Sequence, residues 1–200
     1  MRFRELSVEG AFEITPRLHG DPRGLFSEWY RSDRLAEAVG HPLSLAQGNL
    51  SVSSRGVVRG VHFADVPPGQ AKYVTCVRGA VLDVVVDLRV GSPTFGRWEG
   101  VRLDDADRRA VYLSEGLGHG FCALDDDATL AYLCSAPYSP SGEHAVHPLD
   151  PDLGIEWPTA GAPRLSARDE AAPTLAEALA SGLLPDYAAC TAFTASLRAG

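Results

Sequence analysis

A chain of 200 residues and 21.3 kDa has room for one generous domain or two small ones, and a single core is the simpler reading. Hydrophobic residues at 45%, charged residues at 22% and a mean hydropathy of -0.06 describe an ordinary soluble globular protein, which excludes wholesale disorder, fibrous repeats and a membrane protein. With 18 Lys and Arg against 26 Asp and Glu the net charge is -8, so the surface offers no basic field to nucleic acid and any anionic ligand must be met in a local pocket.

The opening Met1-Arg2-Phe3-Arg4-Glu5 has no apolar signal core, and no apolar run reaches the ~18 residues of a membrane span; a cytoplasmic location without a membrane partner is expected. Cys76, Cys122, Cys134 and Cys190 are widely separated, with neither Cys-x-x-Cys pairing nor metal-ligand spacing, so reduced and buried thiols are expected.

In chain order, Arg34 to Val39 reads as one short helix. From Leu45 to Leu133 the pattern has period two, broken by Gly, Pro and Asp, as in antiparallel β structure. Strands are predicted at Leu45–Ser53, Val57–Phe63, Gln70–Val77, Ala80–Val90, Trp98–Leu103, Ala110–Leu113, Gly120–Leu124 and Ala128–Ser135. In Ala80–Val90 one face is apolar through Leu82, Val84, Val86, Leu88 and Val90; the other mixes Val81 and Val85 with Asp83, Asp87 and Arg89. Arg78-Gly79 turns the preceding strand into this one, leaving Lys72 at the outer end of the hairpin. So many short strands imply a mostly β fold, a jelly-roll sandwich or barrel. Asp125-Asp126-Asp127 reads as a solvated turn rather than a cation site. The composition shifts after Pro158, and residues 171–200 are expected to form an alanine-rich helical tail, part of the 1–170 domain or peripheral to it, with helical periodicity at Thr174–Ala180.

Three residues could carry proton chemistry, each with a structural alternative. His62, on a face with Val58 and Gly60, is a candidate general base or a hydrogen-bonded structural histidine. Strict alternation sends Arg59 to the opposite face, so a shared pocket for both requires a bulge, with Gly60 as its natural place. His119, between Gly118 and Gly120, marks either a turn or a close approach to a ligand. Tyr132, on a face with Leu130 and Cys134, is a core residue or a proton donor. Position 64 is Ala and no His-x-His pair occurs, so a cupin-type metal set is not expected. The Gly-x-Gly-x-x-Gly, Walker and Gly-x-Ser-x-Gly patterns are missing, which leaves dinucleotide, P-loop and hydrolase readings without support.

Taken together, the motifs Asp21-Pro22-Arg23-Gly24-Leu25-Phe26-Ser27-Glu28, Gln47-Gly48-Asn49, Val58-Arg59-Gly60-Val61-His62-Phe63, Gln70-Ala71-Lys72-Tyr73, Asp83-Val84-Val85-Val86-Asp87-Leu88-Arg89 and Gly91-Ser92-Pro93-Thr94-Phe95-Gly96 resemble the dTDP-4-dehydrorhamnose 3,5-epimerase family. Gly118-His119-Gly120-Phe121, Tyr132, Tyr138-Ser139-Pro140, Asp150-Pro151, Ile155-Glu156-Trp157-Pro158 and Leu165-Ser166-Ala167-Arg168-Asp169 extend the resemblance in the same order to Asp169. It implies a cupin-like jelly roll, a homodimer, and a cofactor-independent, metal-free epimerase acting at C3, C5 or both of a dTDP-4-keto-6-deoxyhexose in deoxysugar or antibiotic-sugar biosynthesis.

Residue by residue, the resemblance implies His62 as base with Asp169 orienting it, Tyr132 as acid, and Lys72 stabilising an enolate. It carries Arg23 and Arg59 to the diphosphate, Gln47, Asn49 and Glu28 to polar groups of nucleotide and sugar, Phe26 and Tyr138 to ring faces, and His119, Glu143 and Arg168 to the ligand's surroundings. Ala64-Asp65 after His62-Phe63, Arg168 in place of the common Lys, and His147-Pro148-Leu149 before Asp150-Pro151 depart from the family pattern and point to a secondary-metabolism relative. The rival readings are a single-carbon epimerase, a catalytically idle sugar-nucleotide binding module on the same fold, and a metal-dependent cupin dioxygenase.

Overall fold

The computed structural model describes residues 1–199. Its strands are β1 (Arg2–Glu5), β2 (Ala11–Thr15), β3 (Leu18–Asp21), β4 (Gly24–Ser27), β5 (Gln47–Ser53), β6 (Val58–Ala64), β7 (Lys72–Arg78), β8 (Ala80–Val86), β9 (Trp98–Asp104), β10 (Ala110–Leu113), β11 (Gly118–Ala123), β12 (Ala128–Cys134) and β13 (Glu143–Ala145). The helices are α1 (Ser32–Val39), α2 (Ala167–Glu170), α3 (Leu175–Ala180) and α4 (Tyr187–Ala199), none long and apolar enough to cross a membrane. A six-stranded antiparallel sheet, in the order β1-β2-β10-β7-β12-β5, faces a five-stranded one, β13-β6-β11-β8-β9, and β3-β4 forms a separate hairpin. The mostly β, cupin-like jelly roll expected from the sequence is the fold.

Alternation along each strand decides what lies between the sheets. Val74 and Cys76 of β7, Val111 and Leu113 of β10, and Ala128 and Leu130 of β12 meet Val81 and Val85 of β8, Val101 and Leu103 of β9, and Phe121 and Ala123 of β11 in one buried cluster. Each fully buried aliphatic side chain contributes about 1.5–3 kcal/mol, so this filling holds the two walls together. Toward one end the same inward rows turn polar: Lys72 continues the β7 row and Tyr132 the β12 row, packed against the cluster. The core therefore fills the lower barrel and leaves a polar mouth above.

The outer faces are also covered. Leu35 and Val39 of α1 pack with Ile14, Tyr73 and Tyr112 on the six-stranded sheet, while Val84 and Val86 of β8 pack with Leu153, Leu175 and Leu184 on the other. Here the structure corrects the expectation for Ala80–Val90. The strand ends at Val86, and Asp83, Asp87 and Arg89 are all buried rather than lying on a mixed face. Asp87 is satisfied by Arg89, Ser92 and Thr94, which fold the chain around its carboxylate. The N-terminal strands β1 to β4 and the short β13 carried too little alternation to be predicted.

The C-terminal segment packs onto the barrel. Thr174 and Glu177 form a capping box on α3, and the Leu175 N–H donates to the Asp150 carboxylate. On α4, Cys190 is buried and the Arg198 guanidinium donates to the Val39 carbonyl.

The bulge required between Arg59 and His62 is present. His119 pairs with His62 and Phe121 with Arg59, so the register of β6 against β11 shifts between them. Gly60 has φ +124, and a Cβ there would lie 2.6 Å from Gly120 Cα and 2.7 Å from the His119 carbonyl oxygen. Only glycine fits this close crossing. The extra residue turns Arg59 toward the opposite sheet, where its Nε donates to Ser53 Oγ at 3.1 Å while the side chain stays exposed. Gly60→Ala is expected to cost about 1–3 kcal/mol, read from urea unfolding, because both the backbone angle and the crossing are lost.

Candidate active site

His62 is placed by β6 and reached by α2 from the far end of the chain. Ser166 caps α2, accepting from the Asp169 N–H, and that single turn brings Asp169 Oδ1 to 2.7 Å from His62 Nε2. A carboxylate only accepts, so Nε2 carries the ring proton and the Nδ1 lone pair is left for the barrel interior. Burial alone would push the Asp169 carboxyl up, but the His62 hydrogen bond and charge, the Ser166 hydroxyl and the Gly60 N–H together hold it below its ordinary range. Asp169 is therefore a fixed anion behind the imidazole.

Tyr132 and Lys72 project from the opposite sheet. Burial, then Cys134 and Glu143, push the Tyr132 phenol up, with Arg59 opposing, so it stays protonated at neutral pH. Burial pulls the Lys72 ammonium down, and Cys134, Glu143 and Asp83 pull it back up. Lys72 is the only lysine of the chain; every other basic side chain, histidine aside, is arginine. A lysine supplies a compact point charge where a guanidinium would demand a planar, multidentate partner.

The rim follows on β5. Gln47 Nε2 donates to Asn49 Oδ1 at 2.8 Å, the Asn49 amide donates to Cys134 Sγ at 3.7 Å, and the Tyr138 N–H donates to Gln47 Oε1 at 2.9 Å. Glu143 on β13 is near enough for its charge to favour the Lys72 ammonium, and its backbone carbonyl is held by Arg168 Nη2 at 2.9 Å. His119 lies in a strand and is 8% exposed, which settles its alternatives against a turn. Its Nε2 meets Asp83 Oδ2 at 2.8 Å.

The structure thus gathers His62, Asp169, Tyr132, Lys72, His119, Gln47, Asn49, Arg59, Glu143, Tyr138 and Arg168 around one mouth. It does not bring Arg23, Phe26 or Glu28 there. All three belong to or follow the β3-β4 hairpin on the outer side of the six-stranded sheet, where Tyr73 Oη donates to the Trp29 carbonyl. The Arg23 side chain is 90% exposed and Phe26 66% exposed. Alternation within a chain cannot reveal which side of a sheet a preceding hairpin will cross.

Asp83 was missed as a site residue. Its parity with Val81 and Val85 put a carboxylate on a core-facing row, which was the available signal. It is 1% exposed, and Oδ1 has no hydrogen-bond partner among the described residues. A separate cavity of about 410 Å³ lies under α4 beside His41, Tyr112 and Arg198 and shares no residue with the mouth. The site is identified by its chemistry rather than by cavity size.

Known proteins match the chain over most of its length. The family model described as dTDP-4-dehydrorhamnose 3,5-epimerase matches residues 5–177. The chain is 70% identical over 194 residues to a dTDP-4-dehydrorhamnose 3-epimerase of Streptomyces niveus, covering 97% of this chain and 93% of that one. It is 63% identical over 198 residues to a dTDP-4-dehydrorhamnose 3,5-epimerase of Mycolicibacterium smegmatis, covering 99% and 98%. The crystal structure of ChmJ, a 3'-monoepimerase from Streptomyces bikiniensis in complex with dTDP-quinovose, superposes with a TM-score of 0.95 at 55% identity over 98% of both chains.

A single lysine makes the electrostatics of the mouth measurable. In protein labelled with ¹³C-lysine, the one ε-carbon signal is expected to titrate below the ordinary lysine range. Asp83→Asn and Glu143→Gln are each expected to lower the midpoint further, since each removes a charge that favours the ammonium.

Proposed function

The chain belongs to the dTDP-4-dehydrorhamnose 3,5-epimerase family and is an epimerase, and we propose that it inverts C3, C5 or both of a dTDP-4-keto-6-deoxyhexose with His62 as base and Tyr132 as acid. The observation that carries this reading is that the two groups stand on opposite walls of one barrel, the imidazole on β6 and the phenol on β12. Inversion requires a proton to leave one face of a carbon and return to the other.

A 4-keto group acidifies the hydrogens on C3 and C5, because the electron pair left behind moves onto O4 as an enolate. His62 Nδ1 takes the proton, and the Asp169 carboxylate at Nε2 stabilises the resulting imidazolium. Lys72 sets a positive charge against the enolate oxygen, with His119 beside it as a further polar partner. The Tyr132 hydroxyl then delivers its proton to the opposite face as the enolate collapses to the ketone. Solvent restores the phenol and accepts the proton held by His62. Base and acid each supply about 10²–10⁴-fold, a fixed charge at the oxyanion about 10²–10³-fold, and this chemistry is carried by the chain's own side chains. Arg59 offers a guanidinium to the diphosphate, and Gln47, Asn49 and Tyr138 line the way to the nucleotide.

A second reading, inversion at C3 alone, is supported by the 70% identical relative, a 3-epimerase. The four free, buried cysteines fit a reducing compartment such as the cytoplasm.

We also assign a homodimer. The edge strand β5 turns Leu50 (68% exposed) and Val52 (54%) outward, and the hairpin adds Phe26 and Leu25, an apolar area that a second copy would cover. The same packing lets the hairpin deliver Arg23, Phe26 and Glu28 to the partner's mouth, which a single chain leaves without them.

His62→Ala is expected to lower exchange of the sugar's C3 and C5 hydrogens with solvent by at least about 10²-fold; near-normal exchange would remove His62 from the mechanism. Mixing inactive His62→Ala with Arg23→Ala is expected to regain activity, because the mixed dimer contains one site with both residues intact. No regain would place Arg23 outside the partner's site.

A further inference from the structure

Between β12 and β13 the chain crosses the barrel mouth as residues 136–142, carrying Tyr138. Several contacts tie this segment down. The Tyr138 N–H reaches Gln47, the Asp65 N–H donates to the Gly142 carbonyl, and His144 Nε2 meets Asp65 at 2.8 Å. One side chain bridges its two ends. Gln70 Nε2 donates to the Ala136 carbonyl at 2.9 Å and reaches Glu143 Oε1 at 3.4 Å. Both partners can only accept, so the amide nitrogen must face them, and the orientation of the Gln70 side chain is fixed by chemistry.

We propose that Gln70 is a positioning residue that latches the segment 136–143 across the barrel mouth, setting Glu143 beside Lys72 and holding Tyr138 in place for the nucleotide. The proposal rests on the epimerase reading for what the latch serves, and on the hydrogen bonds alone for the latch. Gln70 is two residues before Lys72, on the same side of the chain as it enters β7, while the Ala71 N–H between them is taken by Ser135 Oγ at 2.8 Å. The start of β7 thus grips both ends of the segment: Ala71 and Gln70 hold positions 135 and 136, and Gln70 holds Glu143. Through Glu143 the latch reaches the electrostatics of the site, because that carboxylate favours the charged Lys72 and the protonated Tyr132. Gln70 itself touches no reacting atom in this scheme.

The test uses the intact protein, with dTDP as the binding probe and a dTDP-4-keto-6-deoxyhexose as substrate. Gln70→Ala is expected to speed backbone amide exchange at residues 138–143, weaken dTDP binding and raise KM about tenfold, and change kcat less than about threefold, as loss of two hydrogen bonds at a positioning contact requires.

Gln70→Glu supplies a readout that a purely structural role would not move. Its carboxylate would face Glu143, with Glu115, Lys72, Tyr132 and Arg168 on the surrounding elements. Ionised, it has no donor and repels Glu143; protonated, it can donate to one of the two acceptors. Binding by this variant should therefore recover toward that of Gln70→Ala as pH falls through the acid's titration. Unchanged amide exchange in Gln70→Ala, a fall in kcat at constant KM, or pH-independent binding by Gln70→Glu would each overturn the latch. Failure of the unsubstituted protein to bind dTDP would overturn the functional reading instead, while the amide-exchange comparison still decides the latch.

Discussion

A 2.7 Å contact between His62 Nε2 and Asp169 Oδ1 joins the barrel wall to a helix 107 residues further along the chain, and the chemistry proposed for the site depends on it. Without the carboxylate the imidazole could adopt either tautomer and either ring orientation. With it, one nitrogen carries the proton and the other keeps its lone pair. The backbone is arranged around the same contact: the Gly60 N–H, at the bulge of β6, also supports the Asp169 carboxylate. The glycine that lets β6 cross β11 closely thus also helps hold the carboxylate bound to His62.

Charge in the mouth is balanced across the two sheets. The six-stranded wall contributes Lys72 and Tyr132; the five-stranded wall contributes His62, His119, Asp83 and Glu143. Burial pulls Lys72 toward its uncharged form and keeps Tyr132 neutral, and the nearby carboxylates counter the first effect while reinforcing the second. One negative environment therefore favours both the charged form of Lys72 and the protonated form of Tyr132. The apolar floor of Val74, Val81, Val85 and Leu130 keeps water from screening these charges from below.

Much of this was legible in the sequence because strand alternation is strict. The parity of Gln47 with Asn49 and of Lys72 with Val74 puts each pair on one face of its strand, and the conflict between Arg59 and His62 located the bulge at Gly60. What alternation could not supply was the third dimension. Whether Asp83 or Asp87 faces the core depends on what packs behind β8, and Asp87 is buried because Arg89, Ser92 and Thr94 fold around it. The course of the β3-β4 hairpin, and hence the position of Arg23 and Phe26, is set by packing of Trp29 and Tyr30 on Tyr73 rather than by any local pattern. The pairing of His62 with Asp169 was accessible only through family resemblance, since nothing in the spacing links the two.

Opposed walls make a stronger demand than catalysis alone: removal of the acid should leave proton abstraction in place and stop inversion. The most direct measurement is NMR of a dTDP-4-keto-6-deoxyhexose in D2O with Tyr132→Phe, following loss of the C3 and C5 proton signals separately from the appearance of epimer. Deuterium entering from the His62 side with retained configuration, and little or no epimer, is the expected result. Epimer formed at the rate of the unsubstituted enzyme would show that Tyr132 is not the acid and that the two walls do not divide the work in this way.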